Sequence, residues 1–320
     1  MAFLGLDISK ETIDACLLAE GEQSSKKVAN NAKGFAQLKS WLKNRRVKDP
    51  HICMEATGSY FELVAESFSD DGFLVSVVNP AQIKSFAASQ LLRAKTDAID
   101  AQTIARFCEL QQPPAWNPPS PAQREFRALV RFCENLKATR ASYDVQRQTP
   151  NIVRKVKRSI DDIIANLDEE IAKVEAEISK LVKKDPDLRE RHRLLTTIDG
   201  IGETTASTIL AEAPNLADFH SSKAVAAFAG LSSRTRSSGT SIRGRGAICK
   251  IGNARLRRAL WWPAIVAMRF NPRLRELAER LRAAGKPNKK IIVAAMRKLL
   301  VIAYGVLKSG RPFQGALTAT

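Results

Sequence analysis

Between Gln111 and Pro121 the chain reads QQPPAWNPPSP, five prolines in one short run. Proline fixes φ and removes a backbone donor, so neither a helix interior nor a central strand passes through such a stretch. The chain is therefore cut there, and the patterning on the two sides differs. Before it, Ala2–Ile8 and Thr12–Leu18 read as a β-hairpin, with Lys27–Asn30 as a possible third strand. Helical spacing follows over Lys33–Asn44, then a strand at His51–Glu55, a helix at Tyr60–Asp71, a strand at Leu74–Val78 and a helix from Asp97 to Leu110. A hairpin followed by alternating strands and helices predicts a mixed α/β sheet.

Beyond the prolines the pattern is helical. Ile160, Ile164, Leu167, Ile171, Val174, Ile178 and Leu181 recur at alternating spacings of four and three, interleaved with Asp, Glu and Lys. This is a coiled-coil seam. Phe126, Val130, Cys133 and Leu136 offer a partner helix upstream. An antiparallel hairpin and an intermolecular coiled coil both satisfy the pattern, and the dimerising or scaffolding coiled coil is the preferred expectation. Near Pro186 a third part begins, in which Leu194–Glu203 reads as a helix, a Gly-x-Gly turn at Gly200 and Gly202, and a new helix. Such a helix-hairpin-helix turn can present amide N–H groups to a phosphate. The expected organisation is 1–115, 116–185 and 186–320.

Charge is distributed unevenly. From Phe219 onward there are 21 Lys and Arg against two acids, Glu276 and Glu279, which leaves 30 basic and 31 acidic residues before it. The positive field belongs to the last part and attracts phosphate backbones or anionic lipid. Lipid is the weaker partner, because the longest apolar run, Ala259–Met268, is about half the length of a spanning helix and contains a proline. No membrane partner and no signal peptide are expected. Five cysteines, scattered and without CxxC spacing, point to a reducing cytoplasm.

Four carboxylates stand out. Asp7 and Glu55 each close a short apolar run, and Asp97 and Asp100 lie three apart at a helix start, on one face. Each has an ordinary reading as a cap, turn or ion-pair residue. Together, two strand ends and one helix give the layout of an RNase H-like fold whose acids converge on a metal. An all-oxygen set suits Mg²⁺ or Mn²⁺. On a basic protein this predicts metal-dependent phosphoryl transfer on nucleic acid.

The segment Ser232–Gly246 is dense in Ser, Arg and Gly. It reads as a phosphate-gripping loop with Arg234, Arg236, Arg243 and Arg245, or as the seat of a nucleophilic serine with those cations beside it. Arg255, Arg257 and Arg258 open a further helix expected to track phosphates. Trp261 and Trp262 could stack on bases, with core packing the preferred reading.

The order GLDISK, EATGSY, KTDAIDA, GIGETTAS, SGTSIRG and LRRAL resembles the DEDD-type transposases of the bridge-RNA-guided insertion-sequence group, whose relatives include pilin-gene invertases. The resemblance implies a RuvC-like, RNase H-like N-terminal domain, a central helical coiled coil and a mainly α-helical transposase domain. It implies that Asp7, Glu55, Asp97 and Asp100 bind Mg²⁺ and that Ser238, before the glycine of its segment, becomes joined to the cleaved DNA strand. Ser237 and Ser241 stand in the same run as alternative nucleophiles. Implied partners are donor and target duplex DNA, a structured noncoding guide RNA and further copies of the chain in a dimer or tetramer. A resolvase of Holliday junctions using metal-activated water, and a non-catalytic nucleic-acid-binding protein, are the competing readings.

Overall fold

A computed structural model describes residues 1–56, 60–91, 96–234, 237–238, 242–243 and 247–315. Contacts divide the chain into two compact units, 1–119 and 120–320. The break falls inside the proline-rich run.

The first unit is built on strands β1 (Phe3–Ile8), β2 (Thr12–Ala19), β3 (Glu22–Ala29), β4 (His51–Glu55) and β5 (Val75–Val78), in the order β3-β2-β1-β4-β5. The first three are antiparallel and β4 runs parallel to both β1 and β5. β3 is longer than its sequence predicts. A two-residue turn with both φ positive, at Glu20 and Gly21, pairs all eight of its residues with β2. Its outward side chains are polar, as an unpaired sheet edge requires.

Each sheet face has its own core. One face takes α1 (Ala32–Asn44) and α2 (Glu62–Asp70), which insert Phe35, Leu38, Trp41 and Leu42, and Val64, Ala65 and Phe68. Burying each large apolar side chain is worth about 1.5–3 kcal/mol, so packing rather than propensity holds these helices. The other face takes α3 (Pro80–Ser89) and α4 (Asp97–Gln111) through Ile83, Ala101, Ile104, Ala105, Phe107 and Cys108. α3 has no counterpart among the predicted elements. Asn79 caps it, with Pro80 in its first turn and Gln82 returning a bond to Asn79, so a capping box is legible in the sequence after all.

The second unit is mostly helical. α5 (Pro121–Arg147) and α6 (Arg154–Lys184) form an antiparallel hairpin within the chain. Its register shows in Arg147–Asp161, Arg140–Asp168 and Lys137–Glu175 ion pairs at 3.3, 2.8 and 2.6 Å. The seam residues Ile160, Ile164, Ile171, Val174 and Ile178 are buried, with Phe126, Val130 and Cys133 buried on α5. The apolar stripe thus finds a partner helix in its own chain.

α7 (Pro186–Thr196), capped by Asp185, and α8 (Glu203–Glu212) flank the Gly200 turn. α9 (Ser222–Phe228), α10 (Ala254–Ala259), α11 (Trp261–Phe270), α12 (Pro272–Ala283) and α13 (Asn288–Ser309) complete the unit. Among the described residues between α9 and α10 are two-residue strands β6 (Ser233–Arg234), β7 (Ser237–Ser238), β8 (Ile242–Arg243) and β9 (Ala247–Ile248). β6 pairs with β9 and β7 with β8.

Glu212, at the end of α8, is buried in this unit's interior. Arg131 of α5 donates to both of its carboxylate oxygens at 2.6 and 3.0 Å, and Asn253, the N-cap of α10, donates to Oε2 at 2.7 Å. Burial alone would push the Glu212 carboxyl up, but the bonds from Arg131 and Asn253 win and hold it below its ordinary range. Three helices are tied at one carboxylate.

Candidate active site

Strand register assembles the acids. Asp7 lies opposite Asp14 of β2, and Asp14 opposite Lys27 of β3. Extending the parallel pairing of Leu6 with Met54 by one residue sets Glu55 beside Asp7. Directly paired residues share a sheet face, so Glu55, Asp7, Asp14 and Lys27 form one row across four strands. Two positions along the ladder, before Glu55 and Asp7 but after Asp14 in the chain, the same face presents Cys53, Gly5 and Cys16.

That second row is a floor of small residues, and α4 lies directly on it. A Cβ on Gly5 would meet the Ala101 carbonyl oxygen and the Ala105 nitrogen at 2.3 Å. Only glycine permits so close an approach, and the alanines on the helix side permit it in turn. Thr96 caps α4, accepting from the Ile99 N–H at 3.3 Å. The first turn of the helix, with Asp97 and Asp100, is thereby brought into the field of Asp7. The two acids also sit well with the helix dipole, so the capping role and the site role coincide.

Electrostatics report the crowding. The Asp7 carboxyl is pushed up to about 6 by burial first, then by the charges of Asp100, Asp97 and Asp14. Lys27 answers part of this charge. Its ammonium donates to Asp14 Oδ2 at 2.8 Å and stands 3.8 Å from Asp97 Oδ2. The bond to Asp14, and then the charges of Asp14, Asp97 and Asp7, hold it protonated above the ordinary lysine range. Glu55 is half-buried at the end of β4.

Among the described residues no three Asp, Glu, His or Cys side chains close around one point as an ion would require. The donor chemistry nevertheless fits a hard divalent cation. All the groups are carboxylates, they share one face, and their mutual repulsion is what such a cation would relieve. Asp7, Glu55, Asp97 and Asp100 would hold it.

Sequence reasoning missed Asp14 and Lys27. The two hairpin turns, centred after Lys10 and on Glu20-Gly21, fix the register that aligns them with Asp7. The cysteines are scattered in sequence, yet Cys16 of β2 and Cys53 of β4 pack with Cys108 of α4 in the layer between sheet and helix. The Cys53 thiol is pushed up by its hydrogen bond with Cys108 and by burial, which leaves it inert packing. His51 bonds Ser76 Oγ at 2.8 Å, and His192 is buried against Ser207 Oγ at 3.1 Å.

Ser238 ends β7, paired in register with Ile242, at the mouth of a short hairpin. Ser237 pairs with Arg243, and Arg234 with Ala247. Arg236, Arg245 and Ser241 lie outside the described residues. Gly200 adopts φ +99°, and a side chain there would strike Ala267 and Pro263 of α11. Gly202 is the N-cap of α8, with open space around it and no side-chain cap.

The three α10 arginines divide. Arg255 pairs with Glu134 at 3.2 Å, and Arg257 donates to the carbonyls of Ala229 and Lys250 at 3.0 and 3.2 Å. Arg258 is exposed. Trp261 packs partly buried against the core, while Trp262 is 72% exposed, contrary to the expectation that both pack inside. Adjacent helical residues point about 100° apart, so only one of the pair could turn inward.

Two family models match the chain: a DEDD-type IS110 transposase domain over residues 4–155 and a transposase domain of the IS116/IS110/IS902 family over residues 192–279. The pilin gene-inverting proteins of Moraxella bovis and Moraxella lacunata are each 35% identical over 314 residues, covering 97% of this chain and 97% of theirs. An uncharacterized 43.6 kDa protein of insertion element IS110 from Streptomyces coelicolor is 32% identical over 135 residues, 41% of this chain and 33% of that one. With two domains matched in order and relatives alike over nearly the full length, the chain belongs to the IS110 family of transposases, enzymes that act on DNA in recombination.

Proposed function

We propose that the protein is an RNA-guided DNA recombinase that moves its own insertion sequence through a covalent serine–DNA intermediate. The observation that carries the reading is the acid row, where sheet register and the Gly5 contact gather Asp7, Asp97 and Asp100 and push the Asp7 carboxyl to about 6. A Mg²⁺ or Mn²⁺ ion held by Asp7, Glu55, Asp97 and Asp100 would polarise the phosphodiester and offset its developing charge. The Ser238 oxygen attacks phosphorus as the bond to the sugar oxygen breaks, and the departing strand leaves with a hydroxyl. A hydroxyl of the partner strand then attacks the phosphoserine and releases the serine. Bond energy is kept in the ester, so no nucleotide cofactor enters.

The sheet order and strand directions support an RNase H-like, RuvC-like first domain over 1–115. The uncapped α8 terminus and the Gly200 turn support a helix-hairpin-helix contact to phosphate within 186–320. Val145, Val153 and Val156, exposed around the end of the helical hairpin in 116–185, support assembly into a dimer or tetramer there, coiled coil included. Another protomer would then supply the serine that works with a given acid row. A structured noncoding RNA pairs with donor and target DNA and selects the sequence, while Arg234, Arg236, Arg243, Arg245 and Arg258 and the Gly200–Gly202 turn would contact backbone, Arg255 and Arg257 being engaged with Glu134 and with the carbonyls of Ala229 and Lys250. The work is done in the bacterial cytoplasm. Among the described residues no helix is long and apolar enough to cross a membrane.

The test is strand exchange by Ser238→Ala with the RNA that copurifies with the protein. Loss of exchange with nucleic-acid binding intact is the expected result. Joining that persists in this variant would overturn the serine step, and metal-dependent cleavage without joining would point to a resolvase.

A further inference from the structure

α11 buries Ala264 and Ala267 and leaves another side outward. On that side Trp262, Val266 and Phe270 follow at intervals of four and are 72, 45 and 64% exposed. Residues four apart on a helix lie one above the other, so they form a continuous apolar row. With about 1.5 Å of rise per residue, the two aromatic rings are about 12 Å apart along the helix. Arg258, near the end of the preceding helix α10, and Arg269, beside Phe270 on α11, are both exposed.

Large aromatic side chains held in water need a partner to justify them. A second copy of the chain is disfavoured by charge. A two-fold contact over this row would crowd the arginines of both copies into one interface, and neither α10 nor α11 carries an acid to separate them. A duplex is disfavoured by chemistry, since its bases are stacked on one another and offer no face. An unpaired nucleotide satisfies both conditions, presenting a ring face to the aromatics and a phosphate to the arginines.

We infer that Trp262, Val266 and Phe270 form a stacking platform for unpaired bases of a single-stranded nucleic-acid segment, with Arg258 and Arg269 taking its phosphates. The platform lies beside the Gly200 turn, which packs on Pro263 and Ala267 of the same helix. A duplex gripped through that turn and an unpaired strand lying on the row would then meet at one helix, as at a junction between paired and opened segments. This deepens the nucleic-acid role proposed above and rests on it.

The experiment is binding of end-labelled oligo(dT) and oligo(rU), each about 20 nucleotides, and of a duplex of equal length. The full-length protein and its variants are compared at fixed physiological salt. Trp262→Ala is expected to weaken both single strands about 10-fold, with Trp262→Phe regaining most of that loss. Duplex affinity should change less than about 2-fold, and the salt slope should stay as in the parent because no phosphate contact is lost. Arg258→Ala should weaken all three probes and flatten the slope. A larger loss on oligo(rU) than on oligo(dT) assigns the strand as RNA, and the reverse assigns it as DNA.

Unchanged single-strand affinity in Trp262→Ala overturns the inference. So does a fall in oligomer mass on sedimentation with that affinity intact, which would give the row to a second copy. Equal loss for duplex and single strand also overturns it. Because the strand-exchange test of Ser238→Ala is scored separately, a failed platform leaves the recombinase reading standing, and a failed serine leaves the platform to be judged on binding alone.

Discussion

Asp7 on β1 and Glu212 at the end of α8 are both acids withdrawn from water, and their neighbours treat them oppositely. Glu212 has a guanidinium on both oxygens and an amide on one, and its carboxyl is held low. Asp7 faces three further carboxylates with one lysine among them, and its carboxyl is pushed up to about 6. A carboxylate that a fold surrounds with donors serves the fold. One that it surrounds with its own kind is held against its preference, and such arrangements gather where a ligand completes them. The contrast marks Asp7 as the candidate for function and Glu212 as the candidate for architecture without reference to any relative.

The sharpest way to break the contrast is to neutralise each acid in turn. Asp7→Asn should lower strand exchange about 1000-fold, a loss of about 4 kcal/mol in transition-state stabilisation, yet make the metal-free protein more stable. The raised carboxyl stabilises the fold in full only below its unfolded value near 3.8 and loses that contribution as pH rises through about 6. After discounting for solvent, this is on the order of 1–2 kcal/mol. Urea midpoints with chelator should therefore fall between pH 5 and pH 7.5 in the parent and much less in Asp7→Asn. An equal fall in both would place the cause elsewhere.

Glu212→Ala should do the reverse, costing about 3 kcal/mol because it removes the charged hydrogen bonds from Arg131 and Asn253 at a buried carboxylate. For the depressed Glu212 carboxyl the contribution is present above its unfolded value near 4.5 and is lost as pH falls through the folded one. Urea unfolding of this variant should show the parent's acid sensitivity diminished. A variant as stable as its parent would make Glu212 a poor example of a structural acid.

Gly5→Ala tests how the acids are gathered. A methyl group there collides with α4, and overpacking of this kind costs about 1–3 kcal/mol. Exchange activity should fall further than stability alone explains, because Asp97 and Asp100 move with the helix. Titration of the metal-free protein by NMR should then find Asp7 closer to an ordinary aspartate. The smallest effect belongs to Lys27→Met. Removing a cation from the row should tighten Mn²⁺ binding about 3-fold, read by calorimetry. Weaker binding would show that Lys27 orders Asp14 rather than competing with the ion.

Much of the first unit was legible because strand and helix announce themselves locally. The alternation up to Leu110, the four acids and the proline break all rest on runs of a few residues. The acid row needed more. Asp14 and Lys27 join it only through the register of two hairpins, and register is a relation between strands. The same holds for the three cysteines, which are far apart in the chain and meet between the sheet and α4. In the second unit the heptad spacing announced a stripe that needs covering, and the preferred partner from sequence was another copy, whereas α5 of the same chain covers it. The Arg255–Glu134 pair joins residues 121 positions apart, so phosphate contact was the natural reading of that arginine from its neighbours alone. Trp261 and Trp262 are alike in sequence, and only the packing of α11 separates one as core from the other as surface.

The floor of Gly5, Cys16 and Cys53 beneath α4 makes the acids one inseparable part. With no side chain between helix and sheet at the Gly5 crossing, Asp97 and Asp100 are not readily moved relative to Asp7 by altering a loop. They shift only if the whole helix lifts. Anyone transplanting this set of carboxylates onto another sheet would have to carry the glycine and its small neighbours too. Copied alone, over an ordinary valine-and-leucine layer, the helix would ride too high for its acids to reach the row.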